Sequence, residues 1–223
     1  MLNRISIFLL SMLLCVSSLA QSNIVGTLSP KLKKIMLDHP EAAKILTNAI
    51  SNSFSNKTVR LFYFYSDDGS EAKAFHYYPN TIGLPEVVLC VRENQSPLDE
   101  FITILFETLN SNGESSFAKL SQDAYYGTIT REQFAMGILQ YEFEATKNTR
   151  AALLTLEFGK KEINESYYYG KFAECPTNFD GFLSYSKKIS PQREAFKEYE
   201  LKYDSLRKIY NDSNSLTNSP TKN

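Results

Sequence analysis

The sequence predicts an α+β fold: a small antiparallel or mixed sheet of about three strands, packed by several helices. Three observations predict it. Runs dense in β-branched and aromatic residues, Val59–Tyr65, Ala72–Tyr78 and Glu86–Arg92, follow one another between residues 59 and 92. Helix-start signals flank that block, at Ser29-Pro30, at Ser96-Pro97-Leu98-Asp99 and at Thr130-Arg131-Glu132-Gln133. The chain has 223 residues and no internal repeat, which fits one domain with a sizeable core.

The elements follow in order. Residues 1–20 hold one charge, Arg4, then an apolar run from Ile5 to Val16 and small residues at Ser18 and Ala20. That is the pattern of a secretory signal peptide cleaved after Ala20. The run is short of the ~20 residues a membrane-spanning helix needs. The expected location is therefore secreted or periplasmic, with no membrane attachment after cleavage. Residues 21–210 are expected to form the single α+β domain. Its N-terminal helices lie within 29–52: Leu32, Ile35 and Met36 give the first an apolar face, and Ala43, Leu46, Ala49 and Ile50 the second, restarted by Pro40.

In the sheet, 59–92, the first strand is expected to be buried on both faces or nearly so. The Asp67-Asp68-Gly69-Ser70 turn should fold the second strand back antiparallel to it, giving a meander. The helical part spans 96–210. One helix runs from Ser96 to about Asn110 and is closed by Asn112-Gly113, and a shorter one covers about Glu114–Tyr125. A long helix starts at the Thr130 capping box and reaches about Glu157, with Gly159 as its stop. Residues 160–189 read as less regular. A last helix starts at Ser190-Pro191, with Phe196, Tyr199, Tyr203, Leu206 and Tyr210 as a narrow seam for docking on the body or pairing with another helix. Residues 211–223, rich in Asn, Ser and Thr, are expected to be a disordered tail.

Composition removes whole classes of function. Of 24 basic residues, Arg4 leaves with the leader, so 23 face 25 acidic ones. A net −2 attracts neither nucleic acid nor an anionic membrane. There is no Gly-x-Ser-x-Gly elbow, no phosphate-binding glycine loop and no Cys-x-x-Cys. Beyond the leader only Cys90 and Cys175 remain. An oxidising compartment permits a disulfide between them, and a buried thiol fits Cys90 in the apolar run Val87–Val91 equally well.

Two acids carry the candidate site. At about 100° per residue, Leu98, Phe101, Ile102, Leu105 and Leu109 share one helix face. Glu100, Thr103, Glu107 and Asn110 fall opposite, either as a solvated stripe or as the lining of a cleft. On the long helix, Phe134, Ile138, Tyr141, Ala145, Ala152 and Leu156 form the apolar face, and Glu142 projects close to its centre. A carboxylate there needs a hydrogen bond, an ion pair or a metal. Arg60, Arg92, Arg150 or a Tyr hydroxyl are candidate partners.

The segment Leu105-Phe106-Glu107-Thr108-Leu109-Asn110, with the later Glu142-Phe143-Glu144-Ala145-Thr146, resembles single-domain zincin-like metallopeptidases. The resemblance covers about residues 86–157. In that family a His-Glu-x-x-His helix supplies two zinc ligands and the general base, and a later Glu supplies the third ligand. The resemblance puts Glu107 at the general base and Glu142 at the third ligand, with Thr146 where the family has Asp. Phe106 and Asn110 stand at the two His positions. Phe106 has no donor atom and Asn110 is a poor zinc ligand, while catalytic zinc sites use three protein ligands. His39 and His76 lie elsewhere in the chain. No metal and no cofactor are expected.

The expectation is an exported, non-catalytic zincin-like protein, a pseudo-peptidase with a binding or structural role toward a peptide or protein partner. Glu107 is the catalytic candidate, and Glu142, Asn110, Thr103 and Thr146 are the cleft or binding candidates. The alternatives are a metal-dependent or carboxylate-based hydrolase using Glu107 and Glu142, and a helical interaction module using the 196–210 seam.

Overall fold

A computed structural model of the chain describes residues 24–25, 28–55, 57–64, 74–77, 86–189 and 195–217. The leader 1–20, the turn 67–70 and the Ser190-Pro191 start lie outside the described residues. The chain divides into two compact units where one domain was expected. The first takes residues 1–111 and 145–175, the second 112–144 and 176–223. The architecture is α+β, with helices dominating.

The sheet lies in the first unit. Its strands are β1 (Ile24–Val25), β2 (Thr58–Phe64), β3 (Ala74–Tyr77) and β4 (Glu86–Arg92), in the order β1-β2-β4-β3. β2 pairs with β4 in parallel along its whole length, Thr58 opposite Glu86 through Phe64 opposite Arg92. β1 adds to β2 in parallel, and β3 runs antiparallel to β4, Ala74 opposite Val91. The sheet is mixed, and the meander is corrected: β3 does not pair with β2, because β4 stands between them. The continuous apolar run Val87–Val91 is the pattern of a strand buried on both faces, and it takes a central place. The first strand is not buried on both faces. Val59 is fully buried, but Arg60 is exposed and Phe62 is 54% exposed.

Three helices bury the other face of that core. α1 (Pro30–Asp38) is capped by Ser29, whose Oγ accepts the Leu32 N–H at 3.0 Å. α2 (Pro40–Ser53) follows at once, and α3 (Pro97–Asn110) is capped by Ser96, whose Oγ accepts the Asp99 N–H at 3.1 Å. Leu32, Ile35, Leu46, Ile50, Leu98, Phe101, Ile102 and Leu105 join Val59, Val87, Leu89 and Val91 in one cluster. Each such side chain contributes about 1.5–3 kcal/mol by leaving water.

α3 ends at Asn110 as expected, and a 3₁₀ turn, Ser111–Gly113, closes it before α4 (Glu114–Tyr126) of the second unit. Gly127, at φ +75°, ends α4 in the left-handed conformation that glycine adopts without strain. The Thr130 box forms as expected: Oγ1 accepts the Gln133 N–H at 3.1 Å, and Gln133 Oε1 accepts the Thr130 N–H at 2.8 Å. It opens α5 (Arg131–Leu154), which ends three residues short of Glu157. Residues 131–144 of α5 belong to the second unit and 145–154 to the first.

Gly159 is not the stop of α5 but the N-cap of α6 (Lys160–Glu165). Residues 160–189 are more regular than their sequence reads, holding α6, α7 (Tyr169–Ala173) and α8 (Phe179–Ile189). α9 (Ala195–Thr217) packs on α4 through the expected seam: Phe196, Tyr199, Tyr203 and Leu206 join Phe134, Ile138 and Leu139 in the core of the second unit. It also runs through residues 211–217, which were expected to be disordered. A helix already nucleated propagates at one hydrogen bond per residue, even into Asn and Ser.

Candidate functional site

The polar stripe of α3 is not a solvated face. Glu100 is 3% exposed, Thr103 6% and Glu107 9%, and Ile104 beside them is fully buried. The helix is covered nearly all round, so its acids need internal partners. Two of them have a full set in the first unit. Asp99 Oδ1 accepts the Ser166 hydroxyl at 2.6 Å and the Tyr168 N–H at 2.9 Å, while Oδ2 accepts the Tyr167 N–H at 3.1 Å. Glu100 Oε1 accepts the Ser29 hydroxyl at 2.6 Å and the Tyr63 hydroxyl at 2.7 Å. Burial and then the Glu100 hydrogen bond push the Tyr63 phenol well above the usual tyrosine range. Asp99 and Glu100 thus tie α3 to the turn before α7 and to the junction of α1 with β2.

The stripe residues singled out by sequence divide between those contacts and plain packing. Thr103 Oγ1 donates to the Glu100 carbonyl at 3.0 Å, a bond inside its own helix. Phe106 packs its ring on Phe172 at 5.4 Å, part of the apolar contact between α3 and α7. Asn110 is half-buried, and Thr146 is buried on the first-unit part of α5. Glu107 is buried in the same unit as Cys90. Burial first, and the Glu107 charge second, push the Cys90 thiol up.

Glu142 lies in the second unit, whereas Glu107, Thr103, Asn110 and Thr146 lie in the first. One partner of Glu142 is the hydroxyl of Tyr199, which donates to Oε1. A Tyr hydroxyl is among the partners considered from sequence. Arg150 instead donates its Nε to the Ala173 carbonyl at 3.0 Å, at the end of α7.

Cys90 and Cys175 form no disulfide; both are buried, reduced thiols. Burial also raises the Cys175 thiol, with Arg150 pulling the other way. A thiol held protonated is a poor nucleophile. Among the described residues, no group of three or more His, Cys, Asp or Glu is arranged to hold a metal ion. Also among them, no helix is long and apolar enough to cross a membrane.

Sequence reasoning missed Asp99 and Glu100 as network centres. The one available signal was their adjacency in the first turn of an otherwise apolar helix. It also missed His39 with Glu162, which are 123 residues apart and share no motif. Comparison with known proteins matches no family model, no curated protein and no solved structure.

Proposed function

We propose that the protein is exported and acts by binding or as a structural component, not by catalysis, on a scaffold of zincin-like descent. The observation that carries this reading is the Tyr199 hydroxyl bonded to Glu142. The carboxylate that the resemblance places at the third ligand position already serves the packing of α9 on its own unit. Three further features support it. Phe106, at one family ligand position, is engaged with Phe172. The acids at the start of α3, Asp99 and Glu100, hold neighbouring backbone and hydroxyl groups. The two cysteines are buried with raised thiols. The partner that fits the family's ancestral cleft is a peptide or a protein segment.

Zinc titration of the purified full-length secreted chain, followed by metal analysis after gel filtration, tests the reading. The expected result is no stoichiometric zinc and no peptide hydrolysis with zinc present. One equivalent of zinc that disappears in both Glu107→Gln and Glu142→Gln would overturn it. Sequencing of the exported protein's N-terminus checks the leader, with Gln21 expected first.

A further inference from the structure

The chain between α5 and α7 returns to one place in the first unit, the junction of α1 and α2. His39 stands at that junction with its side chain 17% exposed. Its Nε2 lies 2.9 and 3.1 Å from the two carboxylate oxygens of Glu162. A carboxylate only accepts, so Nε2 is the donor. Glu162 Oε2 also accepts the Gly159 N–H at 2.7 Å. One carboxylate therefore caps α6 and docks it.

Phe158, the residue before that cap, touches the rings of His39, Phe101 and Tyr169. Its ring stands edge-on to His39 at 4.9 Å and tilted against Phe101 at 6.2 Å. Beyond α6 the chain is held differently: Asp99 takes the Ser166 hydroxyl and the Tyr167 and Tyr168 N–H groups.

We propose that residues 156–165 form an acid-released strap, latched by Glu162 on His39 and plugged by Phe158 against Phe101, with the Asp99 anchor at 166–168 as its fixed end. Protonating Glu162 loosens the latch and the α6 cap together, because both use the same carboxylate. The strap then lifts Phe158 from Phe101, while the turn held by Asp99 stays in place.

The groups around the latch set its sign. From α1, Asp38 opposes ionisation of Glu162, and Lys34, paired with Asp38, feels the Glu162 charge. Glu41 and Lys44 of α2, and Lys161 and Glu165 of α6, are exposed pairs. α3 presents the apolar Phe101. Burial pushes the Glu162 carboxyl up, but the hydrogen bonds from His39 and Gly159 outweigh it and leave it below the usual glutamate range. A carboxyl lowered by folding stabilises above its unfolded value, and that stabilisation is lost as pH falls through the folded value. The strap is therefore closed at neutral pH and opens in acid.

Hydrogen exchange of the full chain, read by mass spectrometry and corrected for intrinsic rates, tests this at pH about 7 and about 3.5. In acid, residues 159–165 should lose protection. Glu162→Gln and His39→Leu should show the same local loss already at neutral pH. His39→Leu decides the matter where the Gln still accepts the Gly159 N–H. Equal protection of 159–165 in wild type and His39→Leu at neutral pH overturns the strap. So does loss of protection in 167–173 together with 159–165 in His39→Leu at neutral pH.

Discussion

Tyr63 and Tyr199 show at the residue scale how this protein keeps acids inside helices. Each phenol comes from another element and donates to a helix carboxylate: the buried Glu100 on α3 and the half-buried Glu142 on α5. A hydrogen bond to a charged group is worth about 1.5–3 kcal/mol, and more is lost when a buried charge is left under-satisfied. Tyr63→Phe should therefore lower the free energy of unfolding by about 1.5–3 kcal/mol. A lower urea midpoint at unchanged m-value checks it. Tyr199→Phe removes one donor from Glu142 and should have an effect of the same order or smaller. Glu142→Gln still accepts the phenol and should be milder. An equal loss in those two variants would show that charge, not the phenol contact, governs the site.

At the scale of elements, what the sequence makes legible is what is local. Ser29, Ser96 and Thr130 were readable as caps because a cap needs only residues three apart, and all three make the expected bond. Thr130→Ala should cost about 1 kcal/mol of stability, measured by denaturant unfolding. Gly127→Ala should cost more. It forces a side chain into φ +75°, and the new Cβ would lie 2.8 Å from the Arg207 guanidinium, which donates to the Tyr125 carbonyl. Partners chosen across the chain were not legible. The Asp67-Asp68-Gly69-Ser70 turn signal favours a hairpin, yet β3 pairs with β4, because Val87–Val91 has two faces to bury and only a central place covers both. The α3 stripe stayed open between a solvated face and a cleft lining for a related reason. Periodicity assumes one wet face, and here Glu100 and Glu107 are buried with the apolar residues. The fold class and most helix positions were thus readable. The division into two units, and Tyr199 as one partner of Glu142, were not, since both depend on contacts between distant segments.

For the molecule as a whole, stability at alkaline pH is drawn down by three groups of one sign and opposed by Lys202, whose ammonium pKa burial lowers. Cys90, Cys175 and Tyr63 are all raised on folding, chiefly by burial. For such a group the folded state resists deprotonation that the unfolded chain accepts freely. Its stabilisation is complete below the unfolded value and is lost as pH rises through the folded one. The thiols enter first, from about pH 8.5, and the phenol from about pH 10, the values of the unfolded chain. The thermal midpoint should therefore begin to fall above about pH 8.5 and fall more steeply above about pH 10. Cys90→Ala should flatten the first part of that limb and Tyr63→Phe the second, each read as a slope, so that a uniform loss of stability in the variant does not mask the result. Because both cysteines are thiols and no bridge closes the chain, adding a reductant at neutral pH should leave the midpoint unchanged. A midpoint that drops on reduction would mean the thiols are joined in the purified protein. An alkaline limb unaltered in both variants would mean that other groups carry the titration.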